Sequence, residues 1–400
     1  MKRVLLLMMA GFSTLAISQN VTENKLSFSY TQLPLNPLDK SVSTYKIVVE
    51  RNFEQANEDS LIAYQARLEA ATLAYDAEVL AWQVKKDAVD RDYFTKMAAW
   101  QKAVNAATPA TKPSDPIIPP APVMKKVMDP QMHSEIEDSF VSNAINFYGY
   151  DQGEGGATVT IGINPISNMQ IVMKPSGTGA QTKYNYTIQY RMPVNIKVED
   201  GNGIVWQTIL MNNQRNYKIN TYASQYEHDL WWIDNKDLYW AKFEKSARQT
   251  ALAEIQRQLN DQCGFPVKTR SVEIFTVKKF KDHQYNDLVN AYTAATQGYQ
   301  KVGSELDHSG ASTKLNEAIK VWKQALTESN LSDKKSRVND KVTALLYCNL
   351  SEAYLWLNDF DQSESYGNLA KNSGVGKFKR AAAGIDGMRN TNKTRYQANQ

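Results

Sequence analysis

Apolar and polar positions change their beat several times along the chain, and each change marks a predicted element. Lys25 to Tyr30 and Tyr45 to Val49 read as strands, separated by a proline-containing turn over Leu33 to Lys40. They make residues 19–52 an N-terminal β segment. From Phe53 to Ala107 there is neither Gly nor Pro, and Ala, Glu, Lys and Gln dominate, which predicts one long helix. Along it Leu61, Leu68, Tyr75, Trp82 and Val89 recur seven apart, with Tyr64 and Ala71 between them. After Val89 the phase slips by four, and Tyr93 and Trp100 continue in a new register. A slip of four is a stutter, which locally unwinds a supercoil without ending it. A continuous helix here spans ~80 Å at the usual helical rise, and Lys85 to Asp92 is the one stretch where it could fold back. Its stripe of Leu, Tyr and Trp must pack on something. The body of the protein, the helix's other half and a second chain are the candidates, with self-packing and dimerisation level.

Residues 108–130 hold seven of the thirteen prolines, which excludes helix and central strand and predicts an extended, semi-rigid linker. From Ala157 the period becomes two. Val159, Ile161 and Ile163 alternate with Thr158 and Thr160, and Tyr184, Tyr186, Ile188 and Tyr190 share a face of the next run. Val194, Ile196 and Val198 lead into Asp200-Gly201-Asn202-Gly203, from which Ile204, Val205, Trp206 and Ile209 lead away, a hairpin signal. Pro193 marks a bulge or an edge. A helix follows from about Asp237 to Asp261, with Phe243, Ala247, Ala251, Ile255 and Leu259 four apart and Gly264 and Pro266 as its stop. Val272 to Val277 is one more strand. Residues 131–280 are thus expected to form an α+β sandwich with the helix on one sheet face.

From Gln284 the pattern is helical, in short antiparallel pieces. Leu315 to Leu326 places small residues at Ala318 and Ala325 around bulky Trp322. In Ala344 to Ala370, Tyr347, Leu350, Ser351 and Tyr354 precede an Asn358-Asp359-Phe360 turn, and Ser363 and Ala370 follow as small positions. These stretches resemble the tetratricopeptide repeat family, the first matching a second helix and the other a nearly whole repeat. Ala318 and Ser363 stand 45 residues apart where the family period is ~34, which implies an insertion over Glu328 to Asn339. No Pro closes either repeat, and Gly367 stands where a large residue is usual. The resemblance implies an αα-solenoid fragment over 281–375 that docks on the α+β domain and offers a concave face to a peptide or a partner's tail. Plain helical packing without a groove is the alternative.

The first 18 residues stand apart. Lys2 and Arg3 precede the apolar run Val4 to Ala10, and Ala16-Ile17-Ser18 supplies small residues for cleavage. The run is too short to span a bilayer, so it predicts a signal peptide and an exported chain beginning at Gln19. With no Cys near the cut, a lipid anchor is not expected. The predicted address is the bacterial periplasm or the periplasmic face of an outer membrane. A PxxP ligand reading of the proline stretch loses force there, because no SH3-like reader is expected. Loss of Lys2 and Arg3 takes the formal charge from +4 to +2, which with the compartment argues against nucleic acid. The basic exception is the end, where Lys371, Lys377, Lys379, Arg380, Arg389, Lys393 and Arg395 face only Asp386. Residues 376–400 are expected to be a solvated tail rather than an anionic-surface patch. The two cysteines, Cys263 and Cys348, are too few for a disulfide framework, and no bridge is expected. The mean hydropathy of −0.51 excludes a polytopic membrane protein.

Catalytic signatures are missing: no GxSxG, HExxH, CxxC or GxxxxGK[ST] occurs. Glu227-His228-Asp229 and His133 with Glu135, Glu137 and Asp138 hold imidazole beside carboxylates, but without metal-ligand spacing both are expected to be solvated turns. No catalytic residue, metal ligand or cofactor is expected. Tyr226, Trp231, Trp232, Tyr239 and Trp240 crowd fifteen residues. Exposed, they would stack on sugars or anchor a protein; buried, which is preferred, they close a sheet edge. The expected function is therefore a non-catalytic envelope scaffold or adaptor that binds protein partners through the helical array and the arm. A glycan- or peptidoglycan-binding protein and an unfamiliar carboxylate hydrolase are the alternatives.

Overall fold

In the computed structural model, residues 21–400 are described except 131, 278, 281 and 305–307, so the expected leader lies outside the described residues. Among the described residues the protein is α+β, with two large hydrophobic cores, a small third cluster of Leu355, Phe360 and Ile385, and one projecting arm.

The N-terminal strands do not form a unit of their own. β1 (Val21–Thr31) pairs antiparallel with β10 (Val267–Val277), from Val21 opposite Val277 to Thr31 opposite Val267. β2 (Thr44–Arg51) instead enters a five-stranded sheet, parallel to β3 (Asp151–Gln152) and to β4 (Ala157–Ile163). β7 (Val194–Asp200) and β8 (Gly203–Leu210) complete that sheet in the order β3-β2-β4-β7-β8. Parallel neighbours require a long crossover, and here the crossover from β2 to β4 contains the whole arm. The DGNG hairpin forms as expected, with Asp200 opposite Gly203 and Gly203 at φ +118°.

A second sheet, β5-β6-β9, is built from Ser167–Ser176, Lys183–Arg191 and Arg215–Tyr222. Pro193 lies at neither a bulge nor an edge: it sits in the two-residue link where the chain leaves β6 for β7 and changes sheet. Alternation aims Val159, Ile161, Val194, Ile196 and Val198 of one sheet and Tyr186, Ile188 and Tyr190 of the other into a common core. That core is filled by Phe243, Ala247, Ile255 and Leu259 of α3 (Gln225–Gln262). The helix begins 12 residues earlier than expected. Ser224 caps it, its hydroxyl accepting from the Glu227 amide at 3.2 Å, while Glu227 reaches back to the Ala223 amide at 3.1 Å. At its other end Asn260 accepts from the Tyr148 amide and donates to the Asn146 carbonyl, both at 2.7 Å, tying the loop after α2 (Asp138–Ala144) to the helix.

The C-terminal third is five helices: α4 (Asn286–Ser304), α5 (His308–Leu326), α6 (Asp340–Trp356), α7 (Phe360–Asn372) and α8 (Gly376–Ala398). The expected insertion between α5 and α6 is pinned by Arg337, which bonds Asp287 at 2.6 Å and Glu328 at 2.8 Å. Residues 376–400 are not a solvated tail. α8 buries Phe378, Arg389 and Arg395, and its Arg395 bridges the two cores by donating to Leu33 O, Asp261 O and the Asp261 carboxylate at 2.7–2.9 Å. Lys371 and Arg389 hold Asp386, Lys393 holds Asp361, Lys377 holds Glu23 and Arg395 holds Asp261, so five of the seven bases have an acidic partner.

Candidate interaction surfaces

The arm is one continuous helix, α1 (Glu54–Asn105), with no fold-back at Lys85 to Asp92. Neither the body of the protein nor the helix's other half covers its aromatic stripe. The chain reverses after Ala107, at φ +52°, and the proline-rich segment runs back along the helix. Trp82 Nε1 donates to Pro119 O at 2.7 Å, Tyr93 Oη to Asp115 at 3.4 Å, and Asn57 Nδ2 to His133 O at 2.9 Å. The lengths match: the 36 residues from Asn57 to Tyr93 rise ~54 Å at ~1.5 Å each. The 18 residues from Asp115 to His133 cover ~56 Å at the ~3.1 Å of polyproline II. Pro113, Pro116, Pro119 and Pro122 step by three and are half-buried, as are Val127 and Pro130 further along the strap. Polyproline II has three residues per turn, so these rings form one face, and the half-buried apolar positions of α1 over the same stretch include Tyr75, Val79, Trp82, Val89, Tyr93, Met97 and Trp100. The expected linker is thus the arm's second leg, a PxxP segment covered in cis. Leu61 and Leu68, counted in the stripe by their heptad spacing, stay exposed.

The strap's end is fixed by a buried polar cluster. Asn57 pairs both ways with the His133 backbone, accepting from its amide at 2.7 Å. Glu244 on α3, 2 % exposed, takes the Ser134 hydroxyl at 2.6 Å and Arg248 at 2.8 Å, with His133 Nδ1 3.4 Å away. Burial alone would raise the Glu244 pKa, but the His133 and Ser134 bonds and the Arg248 charge outweigh it and hold the carboxyl below its ordinary value. Arg51 pairs with Asp138 beside the cluster. His133 is therefore a half-buried tether and not part of a solvated turn.

The opposite side of the arm is bare. Ile62, Ala66, Leu73, Ala77, Leu80 and Val84 follow steps of three, four and seven, about half a turn from Tyr75 and Trp82. Ile62, Leu73 and Leu80 are each 64 % exposed and Val84 67 %. This second stripe escaped the sequence reading because the aromatic heptads on the other face dominate the pattern.

The helical array presents less. Ala318, Trp322 and Ala325 on α5, Leu350, Ser351 and Tyr354 on α6, and Ser363 and Ala370 on α7 are buried, and Tyr347 is half-buried. They pack helices and offer no partner face. Ser351 and Ser363 exchange bonds, each hydroxyl donating to the other's carbonyl at 2.7 Å. Gly367 is small because a Cβ there would meet Ser351 Oγ at 3.1 Å and Arg389 Nη1 at 3.3 Å. The side on which α4 and α6 lie together is taken by the β1–β10 ribbon. Asn349 brackets Phe275, accepting from its amide at 3.0 Å and donating to its carbonyl at 2.7 Å. Phe28 stacks on Tyr299 at 5.6 Å and meets Trp356 edge-on at 4.9 Å, and Arg270 pairs with Glu352 at 3.0 Å. The array holds an extended segment, but the segment is its own chain's.

The aromatic segment lies mostly against the second sheet. Trp231, Trp232, Tyr239 and Trp240 are half-buried on α3, and Tyr239 donates to the Lys218 and Ile219 carbonyls at 2.8 and 3.1 Å. Tyr226 alone of the five projects, 71 % exposed. His228, expected in a solvated turn, is 4 % exposed and stacked on Tyr186 at 3.6 Å. Cys263 and Cys348 are free and buried, and burial raises each thiol to about 12. Among the described residues no group of three His, Cys, Asp or Glu is placed to hold a metal, and no helix is long and apolar enough to cross a membrane. In comparisons with known proteins, the chain matches no family model, no curated protein and no solved structure.

Proposed function

We propose that this chain is an exported, non-catalytic scaffold of the bacterial cell envelope whose projecting arm engages other proteins. The observation that carries this reading is the bare stripe of Ile62, Leu73, Leu80 and Val84 on an arm already covered on its other side. An apolar stripe of about six turns on a monomer's outermost element is a binding surface or a liability. The leader pattern in residues 1–18 supports export. The paired helices α4–α5 and α6–α7, with small residues at their crossing, support the tetratricopeptide-like reading, with the array serving as a rigid mount rather than a peptide groove. The glycan alternative is weakened by the half-burial of Trp231, Trp232, Tyr239 and Trp240, which leaves few ring faces for a sugar.

The test is cross-linking in envelope preparations, read by mass spectrometry, with the native chain and a Leu73→Glu, Leu80→Glu double variant. Loss of envelope-protein links in the variant supports the scaffold. An unchanged link pattern, or turnover of a substrate by the purified chain, refutes it.

A further inference from the structure

The scaffold reading leaves open what covers the bare stripe, and we infer that it is a second copy of this chain, packed antiparallel. The inference rests on that reading for the stripe being a binding face and adds the partner. Charge decides the direction. Residues 54–79 of α1 carry six acids and one Arg, while residues 80–105 carry five bases and three acids. Parallel pairing sets the acidic base of one arm on that of the other. Antiparallel pairing sets it beside the basic half.

The stripe itself favours the same arrangement. Around a two-fold at Leu73, Ile62 of one copy lies level with the partner's Val84, and Ala66 lies level with the partner's Leu80. Leu73 then meets the partner's Leu73, so that large residues face small ones or one another. From Ile62 to Val84 the contact runs ~33 Å, about three heptads, enough for knobs-into-holes packing. In that register Lys85, Lys86 and Arg91 fall level with residues 61, 60 and 55 of the partner, beside its acidic base of Glu54, Glu58 and Asp59. Glu69 falls near the partner's Asp76, a like-charged rim contact that water and salt screen. The strap stays on the outside of the pair, since its prolines hold the opposite face.

Single cysteines distinguish the geometries, and the native thiols stay silent because Cys263 and Cys348 are buried. With the full chain, Leu73→Cys is expected to give a disulfide-linked dimer on mild oxidation. Ile62→Cys alone and Val84→Cys alone remain monomeric on denaturing gels, and a mixture of the two links. Sedimentation at micromolar concentration gives twice the chain mass, reduced to one by Leu73→Glu. Ile62→Cys linking to itself as well as Leu73→Cys does overturns the antiparallel pair, and a monomeric native chain overturns self-pairing altogether. A monomer whose envelope cross-links still depend on Leu73 refutes the self-partner while leaving the scaffold reading standing. A dimer with no other envelope partner does the reverse.

Discussion

Replacing Trp82 with Ala is expected to release the proline strap from the middle of the arm while leaving both cores folded. Trp82 is half-buried and donates to Pro119 O at 2.7 Å, between the Tyr93–Asp115 contact and the anchored base. A Trp ring offers up to ~250 Å². Covering roughly 100 Å² of it contributes about 2.5 kcal/mol at ~25 cal/mol/Å². The hydrogen bond adds about 1 kcal/mol, and the freed carbonyl meets water rather than an apolar wall. Because a real unfolded arm already buries part of this surface, about 3 kcal/mol is the working figure. That corresponds to roughly a hundredfold rise in local opening at ~1.4 kcal/mol per decade. Hydrogen exchange of the α1 amides between Asp76 and Met97, followed by mass spectrometry, reads that opening directly. Trp82→Phe keeps most of the ring and loses the bond, so its exchange should rise about fivefold. Amides of β4 and β7 serve as the control and should not change. Equal effects of Phe and Ala, or no acceleration in either, would refute the helix-and-strap account.

Four further outcomes follow from the buried groups. Glu244→Ala leaves Arg248 buried without its carboxylate and should cost about 3–5 kcal/mol in urea unfolding. A folded Glu244 pKa below its unfolded value means that its stabilisation is present above the ordinary carboxyl range and is lost as pH falls through the folded value; urea midpoints of the native chain should drop there, and Glu244→Gln should flatten that part of the profile. Gly367→Ala gains about 1 kcal/mol of helix propensity but presses on Ser351 and Arg389, so its melting temperature should fall, and Gly367→Leu should fall further; a rise in either would show the crossing to be loose. Native protein should leave a thiol reagent unreacted at neutral pH, with Cys263 and Cys348 both reacting after denaturation.

Local rules made several features legible. The breaker-free run from Phe53 to Ala107 is α1, the DGNG turn is the β7–β8 hairpin, and Gly264 with Pro266 follows the end of α3. Two misses had readable signals. The Ser224-Gln225-Tyr226-Glu227 capping box marks the true start of α3, and prolines at every third position from Pro113 mark a polyproline face. The bare stripe was equally present in the spacing of Leu73, Leu80 and Val84.

What the chain determined by itself is the set of elements and the two apolar faces of the arm, because period, caps and breakers act within a few residues. Pairings across hundreds of residues came only from the tertiary structure. β1 meets β10 across the whole α+β core, Arg395 reaches back to Leu33, and the array's inner side closes on Phe275. Neither strand of that ribbon carries a mark of its mate, since backbone bonds pair any two extended segments. Burial decided the fate of His133, His228 and the tryptophans for the same reason: solvent access belongs to the packed whole.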